Sequence, residues 1–441
     1  MKNRVIIVGA GLAGADCAYF LAEHGVKVEL WEMKPKKFSP AHVSENFGEL
    51  VCSNSLKSND VYGNACGLLK EEMRILGSLV IQAADNNKVP AGGALAVDRD
   101  KFSQFITEKL RSHENITVVE REAEDFPESD YVVIATGPLT SEKLASKISE
   151  KFNDNLYFYD AAAPIVSKES IDFESAFIGD RYGKGDGDYV NCPLNKEEYE
   201  NFVNALITAE KAVQKDFDKK DVFDGCMPVE IMASRGIDTL RFGMLKPVGL
   251  YDKNGKRPYA VLQLRKENEQ GTAYNLVGCQ TNLKFPEQKR VFSIIPALKN
   301  AEFLRYGVMH RNTFLNAPNL LNCDFSLKSN PNLYFAGQMT GVEGYVESAA
   351  SGLMVAINIY LKIKGLEKIE WDYDTVSGAL AKHISTPNID FQPMNANYGI
   401  LNQLQENIRD KSLKKRMLSE RALQKINKIR NFISSAEDKE N

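Results

Sequence analysis

Six consecutive residues near the N-terminus, Gly9-Ala10-Gly11-Leu12-Ala13-Gly14, suit one task, the holding of a pyrophosphate. In such a GxGxxG loop the first glycine allows a tight turn and the second lets the backbone approach the phosphates. The third lets helix and strand pack closely. The helix that follows offers free N–H groups and a partial positive charge. Eighteen residues past Gly14 stands Glu32, placed to accept hydrogen bonds from both hydroxyls of a ribose. An acid there disfavours a 2′-phosphate, so the loop predicts FAD or NAD rather than NADP. Two cysteines suggest different chemistry. Cys52 lies in ELVCSNS (49–55) and Cys226 in FDGCMP (223–228), both loop contexts. A loop thiol near N–H groups or a cation can act as nucleophile or base, and an inert small residue is the competing reading. Cys17, Cys279 and Cys323 read as packing residues.

The elements that must position these groups follow from periodicity. Residues 4–8 (RVIIV) read as a buried strand, 12–24 as a helix, and 26–31 as a second strand. This β-α-β unit calls for a parallel sheet covered on both faces. Residues 35–66 read as loop, 100–112 as helix, and 116–119 and 131–135 as strands. From 155 to 330 short strand-like runs alternate with turn signals such as GKGDGD (183–188). LYFAG (333–337) repeats the strand-then-glycine pattern, and 346–363 reads as a long helix. The expected fold is therefore α/β: a Rossmann-type, doubly wound parallel sheet with an inserted mixed α/β domain. Residues 1–154 and 331–441 form the split dinucleotide-binding domain, and 155–330 the inserted substrate domain.

Composition narrows the class. Of 441 residues 43% are hydrophobic and 26% charged, which excludes a disordered chain. The net charge is −4, so any nucleic-acid contact must rest on a local basic patch. One candidate is 406–430, with nine Lys/Arg against three Asp/Glu, read as a basic helix over 403–433 whose apolar side carries Leu413, Met417 and Leu418. Lys411, Lys414, Lys415 and Lys425 would share a face able to follow a phosphate backbone; a merely solvated face is the alternative. Seven cysteines without CxxC spacing predict reduced thiols and a cytoplasmic protein, and the five histidines form no zinc-ligand pattern. No metal and no membrane span are expected.

Longer motifs add a resemblance. YVVIATG (131–137), with Gly137, resembles the ATG motif of two-dinucleotide flavoproteins. LYFAGQMTGVEGY (333–345) resembles their flavin-contacting loop, with Gln338 where an acid is usual. The chain as a whole closely resembles the folate/FAD-dependent tRNA (uracil-5-)-methyltransferases. The match runs through ELVCSNSL (49–56), VPAGGALAVDR (89–99), GCMPVE (225–230), RYGVMHRNTF (305–314), FAGQMTGVEGYVESAASG (335–352) and FQPMNANYG (391–399).

The resemblance implies FAD bound by Gly9 to Gly14, Glu32, Gly137, Gly337, Gln338, Gly344 and Gly352. It also implies 5,10-methylenetetrahydrofolate as carbon donor, NADPH or NADH as reductant, and C5 of a uridine in structured RNA as acceptor. Cys226 would add to C6 of the uracil and Cys52 would remove the C5 proton. The division of roles between the two stays open. The T-loop uridine of tRNA is the favoured target and a 23S ribosomal RNA uridine the alternative. A flavin oxidoreductase, or a non-catalytic RNA-modification flavoprotein, is the further alternative. Two departures bear on this: Thr281-Asn282-Leu283-Lys284-Phe285 stands where the family has THLKW, and Gly48 replaces an alanine.

Overall fold

The computed structural model describes residues 3–152, 155–181, 187–212, 227–388, 391–406 and 408–437. Cys226 therefore lies outside the described residues. The first strand, Val5–Val8, is wholly buried, as expected of a strand covered on both faces. It is flanked by two parallel neighbours, Val28–Glu32 and Tyr131–Ile134, with Val5 opposite both Val28 and Tyr131. Ile116–Glu120 extends the sheet beyond the second strand. On the other side Asn330–Phe335 pairs parallel to Tyr131–Ile134, and Ser326–Leu327 closes that edge antiparallel. The sheet is thus completed by a strand about 200 residues downstream of its neighbour, the arrangement that the repeated strand-then-glycine pattern predicts.

The intervening chain builds a second six-stranded sheet, antiparallel throughout. Its order is Phe177–Ile178, Tyr189–Leu194, Ala260–Lys266, Ala273–Leu276, Ile165–Ser167 and Phe303–Arg305. It has its own core, which includes Val190, Leu262, Leu264, Phe202 and Phe292. An antiparallel ribbon, Asn155–Ala161 against Met309–Leu315, carries the chain out and back. A third, small sheet has the order Ser55–Ser58, Ala94–Val97, Lys88–Val89, and its first strand falls within the stretch 35–66 read as loop.

Helix Leu12–Glu23 is buried along almost its whole length and packs on helix Tyr345–Ile363. The latter is long and apolar enough to cross a membrane, but 83% of that window is buried inside the fold, as in the core helix of a globular domain. The C-terminal helix begins at Lys411, later than its basic composition suggests. Its buried side is Leu418, Ala422, Ile426, Ile429 and Ile433, spaced three to four apart. Leu413, expected on that side, is exposed.

Buried carboxylates pin elements together. Glu72 accepts hydrogen bonds from Val376 N (2.8 Å) and Ser377 N (2.9 Å), capping helix Val376–His383. Asp16 accepts from Ser78 Oγ (2.6 Å) and Val80 N (2.9 Å) at the start of Leu79–Asn86. Burial raises both carboxyls to about 7, and those same donors oppose the rise. The folded state then binds these protons more tightly than the unfolded state. The stability they contribute is full below the ordinary carboxylate range and is lost as pH climbs through about 7. Replacing Glu72 by Gln removes one titration, so the fall in thermal midpoint between about pH 5 and about pH 8 should be shallower in E72Q. An identical slope would contradict this account.

Candidate active site

The glycine loop opens on a cleft of about 1120 Å³, counting its open mouth. Gly9, Ala10, Gly11, Leu12, Ala13, Glu32, Gly137, Gly337 and Gln338 all line it. Gly9 has φ +101°, and a Cβ there would stand 2.6 Å from the carbonyl oxygen of Ala135. Gly11 caps helix Leu12–Glu23 with no side-chain hydrogen bond, and a Cβ on it would meet nothing within 4 Å. Backbone N–H groups at the helix start can therefore be approached closely. Tyr345 and Ser348, from the first turn of Tyr345–Ile363, line the same cleft, so a second helix N-terminus faces it. Two helix starts and a glycine turn fit a pyrophosphate.

Three of the expected contacts do other work. A Cβ on Gly14 would lie 1.8 Å from the carbonyl oxygen of Gly9, and one on Gly352 would lie 2.0 Å from that of Ala13. Both glycines stand behind the cleft wall, where they let backbones touch. Gly344 (φ +124°) caps helix Tyr345–Ile363 beside Glu347 and Lys57 and is not part of the lining. Glu32 is also engaged differently from the simple expectation. Its Oε2 accepts from Ala10 N (2.8 Å) and its Oε1 from Lys34 N (3.0 Å). Each oxygen keeps a further lone pair for a ribose hydroxyl. Gly48, the departure from the family's alanine, has φ +63°. A Cβ there would stand 2.7 Å from Ile106 Cδ1, so glycine is what this backbone requires.

Lys34 was not legible as a site residue. Its buried ammonium donates to Ser44 O (3.1 Å) and Asn46 O and lies 3.7 Å from Glu49 Oε2. Burial lowers its pKa, against the pull of Glu32 and Glu49. The ammonium ties the 43–49 loop beside the cleft. Trp31 and Arg121 cover the Glu32 end, with the guanidinium 4.3 Å from the ring centroid.

Cys52 follows Val51 of the lining and is half-buried. Its N–H donates to Tyr345 Oη at 2.7 Å. Arg99 donates to the carbonyls of Leu50 and Cys52 and forms an ion pair with Glu267. From strand Ala260–Lys266, Arg265 donates to Asn54 Oδ1 (3.0 Å) and Ser53 Oγ (2.8 Å). Asn54 returns a bond to Lys266 O at 2.8 Å. The Cys52 loop is thus laced to the second sheet by two buried guanidiniums. Arg305, on that sheet's edge strand, feels burial first, then Arg99, then Tyr345, Glu49 and Cys52, and its pKa is lowered. The Cys52 thiol is thus coupled electrostatically to Arg99 and Arg305 as well as to Tyr345.

Outside this cleft, Glu230 fastens the chain just after Cys226. It accepts from Thr281 Oγ1 (2.9 Å) and Asn282 N (2.7 Å). The altered Thr281–Phe285 stretch is thus where helix Val229–Ser234 is anchored. Phe285 is half-exposed and stacks on Tyr306 at 4.6 Å and 14°, backed by Phe303. Arg265→Met should leave the buried Asn54 carbonyl oxygen without its donor. We expect a stability loss of about 1–3 kcal/mol and faster alkylation of Cys52 by iodoacetamide, mapped by mass spectrometry. An unchanged rate would show that the lacing does not restrain the thiol.

Comparison with known proteins extends this picture. The family model of glucose inhibited division protein A matches residues 4–367. A methylenetetrahydrofolate–tRNA-(uracil-5-)-methyltransferase of Acetivibrio thermocellus is 56% identical over 426 residues, covering 96% of this chain and 98% of that protein. Its counterpart in Enterococcus faecalis is 55% identical, with the same coverage. Among solved structures, GidA of Aquifex aeolicus superposes with a TM-score of 0.67, covering 97% of this chain and 74% of that one, at 16% identity. That likeness supports the fold alone.

Proposed function

Because the chain belongs to the family of methylenetetrahydrofolate–tRNA-(uracil-5-)-methyltransferases, we propose that it methylates C5 of a uridine in tRNA, with 5,10-methylenetetrahydrofolate as carbon donor. The observation that carries this is identity above one half over 96% of the chain. The cleft fits FAD, held by Gly9 to Ala13, Glu32, Gly137, Gly337 and Gln338. When bound, FAD supplies the redox chemistry that turns a transferred methylene into a methyl group, with NADPH or NADH as the source of electrons. The T-loop uridine is our preferred target, and no observation favours the 23S ribosomal RNA reading.

The chain's own residues supply the rest. Uracil C5 is a weak nucleophile until a thiolate adds at C6 and generates enolate character. We assign that attack to Cys226. Once C5 carries its new carbon, a base must remove the C5 proton before the sulfur–C6 bond breaks. We assign this to Cys52, on the ground of its place beside the cleft, next to Val51 of the lining, in a loop held by Arg99. The site proposed is cytoplasmic, where these thiols stay reduced. Incubation with unmodified tRNA, 5,10-methylenetetrahydrofolate and NADPH should yield 5-methyluridine. Cys226→Ala and Cys52→Ala should each abolish it while the flavin absorbance persists. Product from either variant would remove that cysteine from the mechanism.

For the tRNA contact we retain the C-terminal helix in revised form. Lys415 and Lys425 hold the helix down, through Gly63 O and Asp372, and Arg421 bonds to Asn402 O. Lys411, Lys428 and Arg430 are exposed and are offered to phosphates. Reversing these three charges should weaken tRNA binding and flatten its salt dependence by about 0.9 in log–log slope per lost phosphate contact. Unchanged binding would assign the helix a structural role only.

A further inference from the structure

The second domain carries a groove separate from the cofactor cleft. Arg241, Phe242, Lys246, Val248, Arg257 and Tyr259 line most of it, around an empty volume of about 830 Å³. Three of these are cations, Arg241 being paired with Asp238, and among the described residues no carboxylate contributes to the lining. The ring of Phe242 is 74% exposed, a costly state for so large an apolar side chain unless something covers it. Arg241 lies between two rings, its guanidinium carbon 4.2 Å from the Tyr259 centroid and 5.0 Å from that of Phe242. It is fixed there by bonds to Tyr259 O (3.3 Å) and Asp238 Oδ1 (3.3 Å), and its backbone N–H donates to Tyr199 Oη at 3.0 Å. The groove is therefore a prearranged set of π-faces edged with positive charge, in a chain whose net charge is −4.

We propose that this groove binds unpaired nucleotides of the tRNA, away from the uridine being methylated; the proposal rests on tRNA being the substrate. Bases present π-faces that stack on aromatic rings and on guanidinium planes, and their phosphates seek cations. An exposed Phe beside a clamped Arg, with Lys246 and Arg257 at hand, matches both halves of a nucleotide. A protein partner would use the apolar faces but has no equal need for the cations that edge the groove. In sequence Phe242 comes only sixteen residues after Cys226, and helix Val229–Ser234 leads through Asp238 into Thr239–Phe242. RNA seated here would be held by the same domain that carries the proposed nucleophile.

The test uses the full-length flavin-loaded protein and unmodified tRNA. Phe242→Ala should raise the tRNA Kd roughly tenfold, and Phe242→Tyr, which keeps the ring, should restore it. Lys246→Glu with Arg257→Glu should raise Kd and flatten its salt slope by about 0.7 per lost phosphate of an unpaired strand. In methylation assays KM for tRNA should rise while kcat at saturating tRNA holds. Kd within error of the natural chain in all variants would overturn the proposal and leave the groove as a protein-binding face. If the natural chain binds tRNA but forms no 5-methyluridine, the methylation reading fails, and the binding measurements still decide the groove.

Discussion

Backbone meets backbone around helix Leu12–Glu23, and most of the architecture is arranged to allow it. Its third residue, Gly14, leaves no room for a methyl group above the Gly9 carbonyl, and Gly352 leaves none above Ala13. Through these two contacts one helix is pressed against the turn that precedes it and against the core helix Tyr345–Ile363. The N-termini of both helices are thereby brought to one cleft, and the ends of strands Val5–Val8, Val28–Glu32 and Tyr131–Ile134 form its floor. A methyl group at either glycine would push a helix start away from the ligand it is meant to face.

The second organising theme is the burial of charge between the two sheets. Arg265, Glu267 and Asn54 are all nearly inaccessible. Such groups are tolerated in an interior only when each finds partners, and here the partners belong to different units of the fold. Arg99 reaches from the unit built on the parallel sheet to Glu267, and Arg265 reaches back to Ser53 and Asn54. The interface is specified by geometry rather than by greasy contact, and the Cys52 loop is where the two sides are joined.

How much of this was legible in the sequence depended on the range of the interactions. The β-α-β unit and the strand before Gly337 are local patterns, read within a few residues of the bounds the structure gives. Cys52 stood out by its loop context. The residues around it did not, because Arg99, Arg265, Arg305 and Tyr345 come together only through topology, from positions with no periodic signal. Lys34 could have been suspected from its place two residues after Glu32, but a lone lysine in a loop reads as solvated. In the C-terminal helix the charges were visible and the buried face only in part: Leu418 is on it and Leu413 is not, and Ala422 is as much part of that face as Ile426. Composition also weights basic residues as if all were free, whereas Lys415 and Lys425 are spent on holding the helix in place.

The ribbon of Asn155–Ala161 and Met309–Leu315 has a consequence for how the chain is made. Strand Tyr131–Ile134 leaves the ribosome early, yet its partner Asn330–Phe335 follows only after about 200 further residues. Until then the sheet has an open, strongly apolar edge, the kind of surface that recruits other chains. The ribbon shortens the problem. Once its two strands pair, the ends of the intervening segment lie side by side, and the late strand is delivered next to the waiting one rather than having to find it. The loop-closure entropy of the long detour is then met once, by the ribbon, and not again by the sheet. Substitutions that weaken this ribbon would therefore be felt first as poor yield of soluble protein during synthesis, before any change in the finished cleft.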